Sequence, residues 1–395
     1  MYSYRTFTDI PVVPFSGILE GPIGGAEHAG GPIWPDWDNR TFERHCRDQK
    51  PIDQRPELTQ EIAPFALEHA FWGGPIANHF GHQIADFSMR ILPSRFVDPN
   101  AKLIFSTSLY EPPKWFHEVL RWAEIEPENV FFTKQAHQFN HLNVCEQSEQ
   151  LWAVGPNSYH LDRMDEFIAN KALNLKVINN PIYVSRAGLG IGQAGFAGER
   201  YLEHCISESG GHVFRPESHS IEEQLKVYLR ASSLIFAEGS AVHLCQLLGR
   251  FDAKVDILIR SKGINIGNQI ISIRVPSYKY IDLLKNVIRG LTFTGEVNLG
   301  NSISLFNIDF LHDYFYSQGL NISKFWNMDA YIEEAIKDIV VWVKSNTGNR
   351  QFNSLESDLE VINCLNSANL NSIARYVEQK IKPEQDIKVN IPFLS

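Results

Sequence analysis

The chain has 395 residues, 44% of them hydrophobic and 21% charged, which is enough apolar material for full cores and predicts two domains. A net charge of −10 without a basic stripe argues against nucleic acid as a main partner. The five cysteines are widely spaced and form no Cys-x-x-Cys pair, which predicts reduced thiols in the cytoplasm and no zinc site. We expect no secretory signal and no membrane span, because no basic start precedes an apolar run and no 18 consecutive residues are apolar.

The first 60 residues are rich in glycine and proline and predict little beyond loops and short strands. Asp36-Trp37-Asp38 has the Asp-x-Asp spacing of some metal sites. Two carboxylates in a proline-rich loop often occur by chance, and we therefore predict no metal site here.

A helix with two distinct faces is predicted from about residue 81 to residue 92, ended by Pro93. His82, Asp86 and Arg90 recur at intervals of four on one face, so that each can reach the next. A carboxylate one turn from an imidazole orients it as a general base. The alternative is an ordinary ion pair between Asp86 and Arg90, with His82 a satisfied, partly buried histidine. His79 either caps this helix or lines the same cleft.

The next segments alternate between strands and helices and predict a first parallel sheet. The apolar runs 103–105, 130–132 and 151–154 are typical of buried strands, and 114–124 is typical of a helix. A helix over 162–173, followed by Asn179-Asn180-Pro181, predicts the linker between two domains.

Residues 181–249 repeat the strand–helix alternation three times, which predicts a second parallel sheet with helices on its faces. The first strand, from Ile182, is followed by a loop with glycines at 188, 190, 192, 195 and 198. A helix then begins at about Glu199. Ser220 and Glu223 have the spacing of a capping box, and the last strand, 234–236, leads into a short helix that ends at Gly249.

Two strand ends in this second region carry groups suited to an anion. Arg186 offers a forked cation, and Gly239-Ser240 lies at a strand-to-helix turn where unpaired N–H groups and the helix dipole favour negative charge. Together they predict a cradle for a diphosphate. The alternative is that Ser240 only caps the helix and Arg186 forms a surface ion pair.

These motifs, in their order and spacing, resemble glycosyltransferase family 61, most closely its bacterial members associated with capsular and lipopolysaccharide synthesis. The motifs are His79-Phe80-Gly81-His82 with Asp86 and Arg90, Val184-Ser185-Arg186, Pro216-Glu217, Glu223-Gln224 and 237–243. Many members have His-Gly-Ala-Gly where this chain has Glu238-Gly239-Ser240-Ala241. This departure leaves the role of position 238 open.

The resemblance implies an α/β architecture of two doubly wound, Rossmann-like domains facing a cleft, the arrangement called GT-B. The expected domains are an acceptor-side domain at 1–175, a nucleotide-sugar-binding domain at 176–300 and a helical extension at 301–395 that packs across both.

The implied activity is hexosyl or pentosyl transfer from a nucleotide-sugar donor to a saccharide acceptor, with inversion and without a metal or cofactor. His82 and Asp86 are the expected catalytic residues, with His79 and Arg90 on the acceptor side. Glu217 is expected to accept hydrogen bonds from ribose hydroxyls, while His243 contacts either the donor or the preceding loop. The expected donor-binding residues are Arg186, Glu217, Glu238, Gly239, Ser240, Ala241, Val242 and His243.

The expected process is surface polysaccharide synthesis in the cytoplasm, with at most peripheral contact at the inner face of the membrane. The competing interpretation is a non-catalytic carbohydrate- or nucleotide-binding protein on a transferase scaffold, which is motivated by Glu238.

Overall fold

The computed structural model describes residues 1–19, 27–40, 42–59, 61–65, 69–152, 154–190, 194–263, 267–292, 294–349 and 354–381. The chain forms two compact units, each assembled from several parts of the sequence. Unit 1 comprises Met1–Asn179, Ser218–Asp256 and Asn265–Lys279, and unit 2 comprises Asn180–Glu217, Ile257–Ile264 and the described part of Tyr280–Ser395.

Strands and helices both occur throughout the described residues. The strands are β1 (Tyr4–Leu19), β2 (Glu27–Pro32), β3 (Cys46–Arg47), β4 (Lys50–Pro51), β5 (Asp53–Gln54), β6 (Ala63–Phe65), β7 (Ala70–Pro75), β8 (Leu103–Ser106), β9 (Val130–Thr133), β10 (His137–Cys145), β11 (Ile182–Val184), β12 (Gly195–Phe196), β13 (His212–Phe214), β14 (Ser233–Ala237), β15 (Lys254–Leu258), β16 (Ser277–Ile281), β17 (Leu284–Leu291) and β18 (Val297–Phe306). The α-helices are α1 (Phe80–His82), α2 (Ile91–Val97), α3 (Lys114–Trp122), α4 (Ser158–Ala172), α5 (Glu199–Glu208), α6 (Ile221–Arg230), α7 (Asn268–Ile271), α8 (Ile308–Ser317), α9 (Met328–Asn346), α10 (Leu355–Ser367) and α11 (Asn371–Ile381). A π-helix spans Gln83–Phe87, and 3₁₀ segments span Trp37–Asn39, Pro127–Asn129, Pro216–Ser218, Ser240–Leu247 and Ile322–Phe325.

Unit 1 is built on a mixed sheet in the order β5-β2-β1-β10-β7-β8-β9, with β6 also pairing to β10. Strands β7, β8 and β9 are parallel, as are β10 and β7, whereas β1 is antiparallel to both β2 and β10. The predicted α/β class with parallel strands is therefore confirmed. The carboxyl end of β7 leads into α1, which places the His82 segment where ligands bind in such sheets.

Aromatic side chains fill the core of this sheet. Phe7, Trp34, Trp72 and Phe139 are all buried in one cluster. Burying a large aromatic side chain of this kind stabilises the fold by about 1.5–3 kcal/mol. β7 also contains Gly73, where any Cβ would come within 2.4 Å of the Phe105 ring, so glycine is required for β7 to lie this close to β8.

Three expectations for the elements of unit 1 were wrong. The helix expected over 81–92 is divided into α1, the π-helix and α2, and α2 continues past Pro93 to Val97 because proline is tolerated in the first turn of a helix. The N-terminal region was expected to be loops and short strands, yet β1 is 16 residues long. Pro11 and Pro14 argue against a strand when the local sequence is considered alone, because proline is usually excluded from central strands. Residues 151–154 were expected to be a strand, but 151–152 form a turn closed by an isolated bridge between Gln150 and Val154. Ala153 lies outside the described residues.

Residues 218–256 pack with the N-terminal part of the chain, so the compact units do not coincide with the expected ranges 1–175 and 176–300. The Trp122 indole N–H donates to the carbonyl of Leu247 at 3.1 Å. Glu118 accepts from the backbone N–H of Ile221 at 2.9 Å, at the start of α6. The predicted capping box of α6, with Ser220 and Glu223, is present.

Unit 2 contains the parallel pair β11 and β13 and a three-stranded sheet in the order β12-β18-β17. The predicted helix from Glu199 is α5. It begins after Gly198, whose φ of 75° and close approach to the Tyr331 ring both require glycine. The Gly198 N–H donates to Asp338 on α9 at 2.8 Å. The helices expected in the C-terminal extension, α8 to α11, belong to this unit.

None of the helices in the described part of the chain is long and apolar enough to cross a membrane. Within the same residues, no group of three or more His, Cys, Asp or Glu side chains is arranged to hold a metal ion. Asp36, in the Asp-x-Asp segment, accepts a hydrogen bond from Asn39 at 2.7 Å.

A buried ion pair ties the 267–275 segment to unit 1. The Arg274 and Glu149 side chains are both fully buried and 2.7 Å apart, and Arg274 also donates to the carbonyl of Leu248. Replacing Arg274 with Met leaves the Glu149 carboxylate without its counter-ion. We expect the free energy of unfolding, measured by urea denaturation, to fall by about 3–5 kcal/mol.

The matched control is Arg250→Met, because Arg250 pairs with Asp162 and Asp165 on the surface of the same unit. Exposed pairs of this kind contribute about 1 kcal/mol or less. Equal losses in the two variants would contradict the special role of the buried pair.

Candidate functional site

The segment between β7 and α2 is wound in an unusual way. His79 caps α1, since its Nδ1 accepts from the His82 N–H at 3.2 Å. The turn then widens into the π-helix, with the Ser88 N–H donating to the carbonyl of Gln83 at 2.9 Å. The Gln83 side chain fixes the entry to the segment by accepting from the Ala77 N–H and donating to the carbonyl of Pro75. Single π-turns of this kind are frequent at functional sites.

His82, Asp86 and Arg47 form a compact cluster at this segment. Arg47 Nη2 lies 2.5 Å from Asp86 Oδ2 and Nε lies 3.2 Å from Oδ1, so the ion pair is bidentate. His82 Nδ1 lies 3.3 Å from Asp86 Oδ2 and 2.9 Å from Arg47 Nη2. The side chains of Arg47 and Asp86 are fully buried, whereas that of His82 is 22% exposed. The predicted pairing of His82 with Asp86 is thus present in the structure.

The charges of this cluster keep Asp86 ionised. Burial by itself raises the pKa of Asp86, but the hydrogen bond from His82 and the charge and hydrogen bonds of Arg47 outweigh it, so the pKa lies below its usual value. Burial, followed by the nearby His82, lowers the pKa of His79.

The two contacts of His82 Nδ1 select different tautomers. A guanidinium only donates and an ionised carboxylate only accepts. With its proton on Nδ1, His82 donates to Asp86 and presents the lone pair of Nε2. With its proton on Nε2, it accepts from Arg47 instead. Among the described residues no hydrogen bond involves Nε2, so this nitrogen is open to a ligand.

The Gly239-Ser240 turn of the predicted anion cradle lies in the same unit as His82. β14 ends at Ala237, and Gly239 is extended with φ at 169° before the 3₁₀ segment Ser240–Leu247. Glu238 and Val242 are buried, whereas Ser240 and Ala241 are half-buried. The Val242 N–H bonds to the carbonyl of Gly239, while the N–H groups of the two preceding residues have no acceptor inside the helix.

The two motifs touch each other. A Cβ on Gly81 would lie 2.7 Å from Ser240 Oγ and 3.3 Å from its Cβ, so the His79–His82 motif meets the cradle at a position that only glycine fits without a shift. The 3₁₀ segment is also joined to the π-helix, because Gln246 donates to the carbonyl of Ala85 at 3.4 Å.

His243 lies in this 3₁₀ segment and is buried. Burial lowers its pKa to about 4 despite the nearby charge of Asp86, so the imidazole is neutral at neutral pH. Asp86, His82 and Arg47 all act on this imidazole electrostatically. Glu238 is only 1% exposed, which keeps its carboxylate off the surface of the turn.

Arg90 does not extend the His82–Asp86 pair. Its guanidinium donates to the carbonyls of Phe42, Arg44 and Cys145 instead, and the side chain is fully buried. The spacing of four assumed an α-helix, and the π-turn at 83–87 rotates the following residues away from that face. Burial lowers the pKa of Arg90 to about 10.

Arg186 and Glu217 belong to unit 2. The Glu199 carboxylate accepts from the Arg186 N–H at 2.9 Å and from Tyr183 and Ser185, which fixes the backbone at the end of β11. The Arg186 guanidinium donates to the carbonyl of Ala194 at 3.3 Å. Glu217 lies against Gly188, where a Cβ would overlap its carboxylate. Gly192 lies outside the described residues.

The sequence did not predict Arg47 or Gln246 as site residues. Arg47 precedes His82 by 35 positions on a short strand, and no local pattern links them. Gln246 is on the same short helix as the turn at Gly239-Ser240, for which only the end at Gly249 was predicted.

The structure thus combines an acid-paired histidine, after the carboxyl end of a parallel strand, with a strand-to-helix turn in an α/β protein. Residues 80–250 match the family model described as Glycosyltransferase 61. The match identifies a glycosyltransferase family 61 domain over these residues and supports glycosyltransferase activity. Comparison with curated proteins gave no match.

Gly81→Ala tests the contact between the two motifs. Alanine favours a helix over glycine by about 1 kcal/mol, but its Cβ must push Ser240 aside. We therefore expect Gly81→Ala to lower the Tm when Ser240 is present. In a Ser240→Gly background, the same change should be neutral or stabilising, and an identical effect in both backgrounds would rule out the contact.

Asp86→Asn tests the charge of the buried carboxylate. Because the folded-state pKa is lowered, the stabilisation is complete above the unfolded-state pKa of about 3.9 and is lost as the pH falls through the folded-state value. At pH 7 we expect a loss of about 3–5 kcal/mol, since Arg47 is left buried without its counter-ion. Urea denaturation between pH 7 and pH 2 should show the difference from wild type shrinking on acidification, and a constant difference would contradict this assignment.

Proposed function

We propose that the chain transfers a sugar from a nucleotide-sugar donor to a saccharide acceptor, with inversion at the anomeric carbon and without a metal ion. The observation that carries the proposal is the cluster of His82, Asp86 and Arg47 in contact with the turn at Gly239-Ser240 within unit 1.

In the proposed reaction, His82 is the general base. The Nδ1-protonated tautomer donates to Asp86, and Nε2 takes the proton of an acceptor hydroxyl. The acceptor oxygen forms a bond to the anomeric carbon while the bond from that carbon to the phosphate oxygen breaks. The phosphate leaves with the electron pair, and attack from the opposite face inverts the centre.

The N–H groups of Ser240 and Ala241 are proposed to stabilise the leaving phosphate, aided by the helix dipole. We assign Arg186 to the donor phosphates because its backbone is held rigidly by Glu199 at a strand end and its side chain is half-buried. Glu217, beside the glycine-rich loop, is proposed to bind the ribose hydroxyls. His79 is proposed to line the acceptor side, and its ring lies 4.4 Å from that of His82.

The domain arrangement, the pathway and the location are proposed from the resemblance to bacterial members of the family. We propose a GT-B arrangement, a role in capsular or lipopolysaccharide synthesis, and a cytoplasmic location with at most peripheral contact at the inner membrane face.

His82→Ala tests the catalytic assignment. We expect the transfer rate to fall by two or more orders of magnitude while donor affinity stays nearly unchanged, because the imidazole acts on the acceptor proton. The measurement is a screen of uridine, guanosine and cytidine nucleotide-sugars against saccharide acceptors, followed by kinetics with the active pair and calorimetry with the donor.

His141→Ala is the control, since His141 is a partly exposed histidine of unit 1 that packs against His69. It should retain full activity. Parallel losses of donor affinity and turnover in His82→Ala would indicate a structural histidine, and wild-type binding without any turnover would favour a non-catalytic binding protein.

A further inference from the structure

Trp152 has a backbone conformation that a large side chain rarely adopts. Its φ is 78°, in the left-handed region that glycine favours. The flanking Gln150 and Val154 exchange two backbone hydrogen bonds, at 2.8 and 3.2 Å, which close the loop tightly around it. Strain of this kind persists where the surrounding structure imposes it, and it concentrates at ligand sites.

The surrounding structure here is the turn that follows Arg47. Asp48 and Gln49 join β3 to β4, and both also have positive φ, at 50° and 61°. The Asp48 N–H donates to the carbonyl of Leu151 at 3.1 Å, and the Gln49 N–H donates to the Gln150 side chain at 2.9 Å. Hydrogen bonds between the two loops thus hold together three residues with positive φ that are not glycine, namely Asp48, Gln49 and Trp152.

These loops place the Trp152 indole over the Arg47 guanidinium, with 5.1 Å between the guanidinium carbon and the ring centroid. Arg47 also contacts Asp86 and His82 Nδ1, the latter at 2.9 Å. One guanidinium therefore touches both the indole and the proposed base. Trp152 is 38% exposed, so part of it reaches solvent above the guanidinium that also contacts His82.

We propose that Trp152 is a stacking platform for a pyranose ring of the acceptor saccharide. The C–H groups on one face of a sugar are attracted to the electron-rich face of an indole. The acceptor hydroxyl must reach His82, so its ring lies in the neighbourhood of Trp152. The base of the donor nucleotide is separated from the reacting carbon by a ribose and phosphate, which favours the acceptor as the occupant. This inference rests on the proposed function for the identity of the acceptor.

The test uses the full chain with Trp152→Phe, Trp152→Ala and Trp152→Gly. Saturation-transfer NMR is recorded with a panel of neutral di- and tetrasaccharides (cellobiose, maltose, lactose and their longer homologues), and calorimetry with uridine, guanosine and cytidine diphosphates. We expect Phe to retain saccharide affinity within about threefold and Ala and Gly each to lose about tenfold or more. Nucleotide affinity should not change.

The Ala and Gly variants separate contact from folding. Both lack the ring, but only alanine keeps the Cβ that opposes positive φ, so the Gly variant should have the higher Tm. Equal losses of saccharide affinity at different Tm values would support a direct contact. Unchanged saccharide affinity in the Ala variant, no saccharide binding by the wild type, or loss of nucleotide binding instead would each overturn the inference.

The acceptor kinetics distinguish this inference from the proposed function. Transfer by the wild type with an unchanged acceptor KM in Trp152→Ala overturns the platform and leaves the transferase assignment in place. Saccharide binding that depends on Trp152, without transfer from any donor in the screen, supports the platform and contradicts the proposed function.

Discussion

The candidate site depends on the buried ion pair between Arg47 and Asp86. Both side chains are fully withdrawn from water, so each would be costly alone, and the bidentate geometry offsets part of that cost. Such a pair need not stabilise the fold more than two apolar residues would. Its role is to hold the Asp86 carboxylate against His82 and the Arg47 guanidinium against the Trp152 indole. The proposed base and the indole then share one support.

Several features could be predicted from sequence because their signals are local. The Ser220–Glu223 capping box, the strand before Glu238 and the His82–Asp86 pair each depend on residues no more than four positions apart. The contact between His82 and Asp86 persists because Asp86 lies within the π-turn, before the shift of the backbone is complete. Arg90 lies beyond that turn, and its predicted contact was therefore lost.

The other features depend on partners that are distant in sequence. Arg47 reaches His82 across 35 positions, and β1 pairs with β10, whose residues lie more than a hundred positions away. Trp152 was predicted to be in a strand because its neighbours are apolar. The turn is imposed by hydrogen bonds from residues 48 and 49. The sequence of 151–154 gives no indication of these partners. The prediction of a strand from this apolar run was wrong at a strained backbone, which is where functional sites are expected.

The region that matches the family, 80–250, begins at the His82 motif and ends just after the cradle, and in unit 1 these two ends lie in contact at Gly81 and Ser240. Residues 180–217 of the same region belong to unit 2, so the match covers parts of both units. Arg47 lies outside the match, yet it supplies the counter-ion of Asp86. The matched region therefore does not contain the whole site, because on its own it would leave the buried carboxylate unpaired and the orientation of His82 unsupported.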